Sequence, residues 1–267
     1  MELSKLLLRA GAIALTAAIP LAAPAKAETS ISVLRTIDTD RYDPHTSTSR
    51  ATAEVMFMMG DTLVALGPDM KTIHPLLAKS WTVSEDGKLY TFKLRDDVTF
   101  CSGKKLTAKD VKATIDRWIA HPKGVVKNRM GDVKEVRAVD DYTVEYELSQ
   151  PYSELLYQMT QHFHTILNVE DVEKLGDDFG VKGFDGSGPY CFDSWEPRNQ
   201  LVMKKHEGYN WGPDFYANQG PAKIDTVTWK IVPEENNRVA GIQTGQGDAT
   251  QYLPYWSIDQ LQANPQI

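Results

Sequence analysis

Apolar and polar residues alternate most regularly between Leu77 and Val111, and that stretch anchors the rest of the chain. Trp81 and Val83 alternate with Thr82 and Ser84. After Glu85-Asp86-Gly87-Lys88, Tyr90, Phe92 and Leu94 alternate with Thr91 and Lys93. A period of two on both sides of an Asp-Gly pair predicts a hairpin with a type I′ turn, which needs positive φ at both central residues. Arg95-Asp96-Asp97 then turns the chain into a short third run, Val98 to Phe100. The period next lengthens to that of a helix opening at Thr107, where Asp110 is placed to complete a capping box. Val111, Ile115, Trp118 and Ile119 give that helix one apolar face, and His121-Pro122 ends it.

The remaining pattern is mixed. Ile31, Val33 and Ile37 predict a first strand. A helix is expected from Ala51 to Leu66, with Val55, Met56, Met59 and Leu63 inward and Gly67-Pro68 as its stop. Met56, Met58 and Met59 read as core filling, since flexible thioethers suit ordinary packing. Val133–Val139 and Tyr142–Leu148 predict a second hairpin, whose Glu145 and Glu147 stripe reads as a solvated face. Further on come a short helix capped by Ser153 and a helix from Glu170 to Leu175. Strands are expected at Pro189–Phe192, around Leu201 and Met203, and at Ile224–Val232. A helix toward Ile242 and a last strand between Asp248 and Tyr252 follow. Strands and helices alternate irregularly, which points to an α/β fold, mixed α+β, with mixed sheets.

The N-terminus changes the picture. Lys5 and Arg9 precede an apolar run from Ala10 to Ala23, and Ala25-Lys26-Ala27 has the small-x-small form of a cleavage site. Residues 1–27 read as a secretory signal peptide cleaved after Ala27. Without them the chain carries 26 basic and 35 acidic residues, a net charge of −9. That balance argues against nucleic acid as a partner and offers no polybasic patch for a membrane. In an exported chain Cys101 and Cys191 are free either to pair or to remain buried thiols.

Enzymatic signatures are weak throughout. Gly186-Ser187-Gly188 lacks the spacing of a nucleophile elbow, and no phosphate-cradling loop or paired-cysteine metal motif occurs. His162 and His164 would share a face in a strand and so offer two metal ligands, but no carboxylate or cysteine completes a set. No catalytic residue, metal site or cofactor is assigned.

Several segments together resemble one family. Asp43-Pro44-His45, the Asp61–Val64 run, the Leu77–Phe100 stretch with Leu106–Val111, Gly186–Trp195, Tyr209–Pro213, Lys223–Arg238 and Gly245–Thr250 resemble the solute-binding proteins of ABC importers, family 5, the oligopeptide-, dipeptide- and nickel-binding type. The resemblance implies residues 28–267 of a periplasmic-binding-protein-like first lobe whose second lobe is missing, since family members are about twice as long. It implies a monomeric periplasmic receptor with no catalytic activity, which closes on a peptide or related small solute and docks on permease subunits in the inner membrane. Nickel chelates, haem, opines, glutathione and oligosaccharides are alternative ligands; an exported hydrolase is the rival outside the binding class. By the same resemblance Ser49, Arg50, Ala51 and Thr52 fall where a first-lobe loop approaches the ligand, and Asn128 and Arg129 fall on the opposite rim. Cys101 and Cys191 both depart from the family pattern, which favours their pairing with each other.

Overall fold

The computed structural model describes residues 28–265 and 267; the predicted signal peptide and its cleavage site lie outside the described residues. In chain order the elements are β1 (Ser30–Arg35), α1 (Arg50–Met59), β2 (Val64–Leu66), β3 (Ile73–Pro75), β4 (Ala78–Val83), β5 (Leu89–Leu94) and α2 (Ala108–Ala120). They continue with β6 (Val133–Asp140), β7 (Thr143–Leu148), α3 (Leu155–Gln158), α4 (Val169–Leu175), β8 (Tyr190–Glu196) and β9 (Gln200–Lys205). The last are β10 (Thr226–Ile231), α5 (Glu235–Gln243), β11 (Ala249–Thr250) and α6 (Tyr255–Gln262).

Among the described residues the strands form three sheets. The first runs β11-β1-β10-β9-β8, with β1 parallel to β10 and β11 and the other pairs antiparallel. The second is the β2-β3 hairpin, and the third is an antiparallel sheet in the order β4-β5-β7-β6. Two apolar clusters follow from the sheets. Phe92, Leu94, Val144, Tyr146 and Leu148 of the antiparallel sheet meet Val111, Ile115 and Trp118 of α2. Leu201, Met203, Val227 and Trp229 of the mixed sheet meet Val55, Met56 and Met59 of α1. Burial of such side chains is the main favourable term holding each layer. No helix among the described residues is long and apolar enough to cross a membrane.

The structure departs from the sequence expectations at several points. Helix α1 stops at Met59, because Gly60 is fully extended (φ −150°, ψ 159°); the expected run to Leu66 becomes a linker and a strand, and Leu63 leaves the helix. The β4–β5 turn is not type I′. Only Gly87 has positive φ (+70°), and the turn closes through the Gly87 N–H to the Ser84 carbonyl, so one left-handed residue suffices. Val98–Phe100 is no strand and contributes one bridge, Thr99 to Lys105. Ile119 faces solvent, and Thr114 takes the inward place on α2. Glu154, not Ser153, stands at the cap of α3. His162–His164 is a 3₁₀ turn with both imidazoles buried, so the two do not share a strand face. The acidic stripe is not simply solvated: Arg137 joins Glu135, Glu145 and Glu147. Helix α6 has no counterpart in the sequence expectations.

The two layers are joined covalently. Cys101, in the loop after β5, forms a disulfide with Cys191 of β8; their Cα atoms are 5.8 Å apart and 90 residues separate them. Hydrogen bonds cross the same junction. The Cys101 N–H donates to the Gly186 carbonyl (2.9 Å), and the Ser102 N–H donates to Asp185 (2.8 Å).

Candidate functional site

The extended Gly60 has a direct consequence for the site. By ending α1 early it directs Asp61 into the seam between the two layers, where the chain next forms β2. Gly186-Ser187-Gly188 runs against the same helix end. The Gly188 N–H donates to the Met59 carbonyl (3.0 Å), and a Cβ at Gly188 would stand 2.6 Å from both the Met59 carbonyl carbon and the Gly60 nitrogen. Only glycine lets two backbones approach this closely. Ser187 then closes a small ring: its hydroxyl donates to Asp61 Oδ2 (3.1 Å) and accepts the Asp61 N–H (3.2 Å). The Trp211 indole N–H donates to the same Oδ2 (2.9 Å).

Asp61 is buried, and burial raises its carboxyl to about 7, against the lowering effect of the Trp211 and Ser187 hydrogen bonds. Both side-chain bonds fall on Oδ2, and Oδ1 carries none. Beside it lies a cavity of about 300 Å³. Phe57 of α1 and Gly60 just past its end form one wall, Leu66 and Leu76 around the β2–β3 hairpin another. Thr160 and Gln161 after α3, with Tyr209, Phe215 and Tyr216 from the β9–β10 loop, close the rest. The aromatic loop is fixed from outside: His74 Nδ1 lies 2.8 Å from Asp214, and its ring meets Phe215 edge-on at 4.9 Å. A mostly apolar hollow with one buried carboxyl and a few hydroxyl and amide groups suits a small organic solute.

The residues expected from sequence lie elsewhere. Ser49 caps α1, its hydroxyl accepting the Ala51 N–H (3.2 Å). Ala51 and Thr52 are buried, and the Thr52 hydroxyl is shared with Thr39 (2.6 Å) and Ser47 (2.9 Å). Arg50 is exposed, pairs with Glu54 (2.7 Å) and lies over Tyr252. Asn128 lines a separate surface recess with Gln150 and Tyr152, and Arg129 lies over Phe163. None of the six lines the cavity. Asp61 and Tyr209 were visible only as members of longer motifs. Reading Ala51–Leu66 as one helix hid the exit that brings Asp61 inward.

Comparison with known proteins gives a family from sequence and a shared fold from structure. The profile of bacterial extracellular solute-binding proteins, family 5 Middle, matches residues 72–267. The chain is 34% identical over 230 residues to the glutathione-binding protein GsiB of Escherichia coli K12, covering 85% of this chain and 42% of that one. Among solved structures it is similar to a nickel ABC transporter protein from Bacillus halodurans (30% identity, TM-score 0.74, 89% of this chain and 46% of that one). It is also similar to the mannopinic acid complex of MoaA from Agrobacterium tumefaciens R10 (26% identity, TM-score 0.79, 90% and 48%). The chain thus spans less than half the length of these relatives.

Proposed function

The chain belongs to the bacterial extracellular solute-binding proteins of family 5, and from that membership we propose that it is the ligand-binding first lobe of a receptor that captures a small solute in the periplasm for an ABC importer. The observation that carries this reading is the cavity beside Asp61: apolar, aromatic, about 300 Å³, and holding one buried carboxyl with a free oxygen. That volume is at the lower end for small-molecule sites. An ammonium at the free Oδ1 would draw the proton off this carboxyl and pair with its ionised form, which places peptides and amino-acid conjugates ahead of purely anionic ligands. Relatives named for glutathione and for an opine fit that chemistry, since both ligands carry amino-acid groups.

On this proposal the protein acts by binding, without covalent chemistry. A solute held by the first lobe is enclosed when a second lobe closes by a hinge, and the closed monomer presents itself to the permease. Arg50 at the start of α1 and its cap Ser49, seven and eight residues before Phe57, together with Ala51, Thr52, Asn128 and Arg129, remain proposed contacts of that closed state. Arg50 is the accessible member of the first group, its side chain 73% exposed. Signal-peptide export of residues 1–27 supplies the route to the periplasm.

The test is a panel of dipeptides, glutathione, opines and nickel–histidine in thermal-shift and calorimetric titrations. A ligand raises the melting temperature by mass action. Asp61→Asn is expected to weaken an amine-bearing ligand at least about tenfold, the loss of about one charged hydrogen bond. Saturable ligand binding that is indifferent to Asp61→Asn and to Tyr209→Ala would move the site elsewhere. Turnover of a peptide or ester would replace the receptor reading by a hydrolase.

A further inference from the structure

The junction between the two layers contains more than a disulfide. His206, in the loop after β9, is buried beside it, and one nitrogen of its imidazole and the sulfurs of Cys101 and Cys191 all lie within 4.8 Å of one another. Two thiols and an imidazole are a zinc-type donor set, and a tetrahedral ion with metal–sulfur bonds of about 2.3 Å and metal–nitrogen bonds of about 2.0 Å holds its ligands at separations inside that limit. We propose that, once the disulfide is reduced, Cys101, Cys191 and His206 bind a borderline-soft divalent cation of the zinc class, with an open fourth position for water.

Three features prepare the site. First, the His206 ring is already oriented. Nδ1 lies 3.0 Å from the Gly188 carbonyl, which can only accept, so Nδ1 carries the proton and Nε2 presents its lone pair. Second, each ligand is tied to the backbone independently of the S–S bond. Cys191 is paired with Lys204 in the β8–β9 ladder, the His206 N–H donates to the Pro189 carbonyl (3.0 Å), and the Cys101 N–H donates to the Gly186 carbonyl (2.9 Å). Third, both cysteines are only partly buried, which leaves a path for a reductant and an ion. The chemistry balances. A dithiol gives two electrons and two protons to the disulfide and closes into its own disulfide; the cation then displaces the two thiol protons, and two thiolates neutralise its charge. The junction is bridged by sulfur–sulfur in one state and by metal in the other.

The probe is Co²⁺ added to protein reduced with dithiothreitol and desalted without oxygen, with free thiols counted beforehand. The expected result is thiolate-to-cobalt charge-transfer and visible d–d absorption that saturates at one ion per chain in the reduced protein and is absent from the oxidised protein. Zn²⁺ is expected to bleach those bands and to raise the melting temperature of the reduced form alone. His206→Ala, which spares both thiols, is expected to weaken Co²⁺ at least about tenfold while near-ultraviolet dichroism is kept. Two counted thiols with no bands overturn the assignment. So do bands unaffected by His206→Ala, or a stoichiometry of one ion per two chains, which would place the metal between molecules. These readouts are independent of solute binding, so the metal site and the receptor reading fail separately.

Discussion

Two residues show how one side chain sets the behaviour of the seam. Asp61 keeps a proton up to about pH 7 in the fold, whereas the unfolded chain releases it near 3.8. Between those values the folded state binds more protons, so this group makes stability fall as pH rises. His164 acts in the opposite direction: burial lowers its imidazole to about 3 from 6.5, so its contribution is complete above 6.5 and is lost as pH falls. His45 and His162, also lowered chiefly by burial, add to the acid side. Asp61→Asn removes the opposing contribution, so urea titrations are expected to show its stability climbing more steeply from pH 4.5 to 7 than the wild type's. Parallel profiles would mean that Asp61 is not held neutral in the fold. Gly188→Ala is the steric counterpart. Its Cβ would meet three backbone atoms at 2.5–2.6 Å, and overpacking of this kind costs about 1–3 kcal/mol by denaturant titration.

At the scale of the element, helix α2 shows what local sequence can specify. Its capping box forms, with the Thr107 N–H donating to Asp110 Oδ2 (3.0 Å), and Asp110 Oδ1 also receives the Lys104 ammonium at 2.6 Å. Asp110 is buried, so its loss removes a cap and leaves the Lys104 ammonium only Asn168 and Glu170 as partners. Asp110→Ala is expected to cost about 2–4 kcal/mol in chemical denaturation, and a change below about 0.5 kcal/mol would show that the box is dispensable. Helix α1 shows the limit of the same reasoning. Its apolar spacing continues through Leu63, and periodicity alone gives no reason to stop at Met59. The stop comes where Gly60 turns extended and the Gly188 N–H, more than 120 residues away, takes the Met59 carbonyl that the next turn would have used. The strand signals fared better: β1, β5, β6, β7 and β10 fall within two residues of the expected runs, because alternation reports a half-buried face directly.

For the whole molecule the question is what keeps two layers together around a cavity. The disulfide closes a long loop and spans the junction. In the chain-entropy account a loop of this size restricts the unfolded state, and reduction is expected to cost about 2–5 kcal/mol in urea titrations with and without dithiothreitol. Intact mass before and after alkylation checks the pairing itself. The chain covers less than half of its relatives, and on the receptor reading one lobe supplies only part of the enclosing surface. A longer polypeptide carrying a second lobe is expected to bind the same solute much more tightly by calorimetry, whereas equal affinity would show the first lobe to be sufficient.

The sequence alone determined the mixed α/β class, most strands, the frame of α2 and, through the order of its motifs, the family. Each of those depends on neighbours within a few residues or on a pattern repeated along the chain. Tertiary structure decided the position of the cavity, the burial of Asp61 beside Trp211 and Ser187, the end of α1 and the grouping of Cys101, Cys191 and His206. Those features join segments up to 150 residues apart, as the Trp211–Asp61 bond does. No local period encodes such a contact, because it arises only when two separately patterned layers are brought face to face.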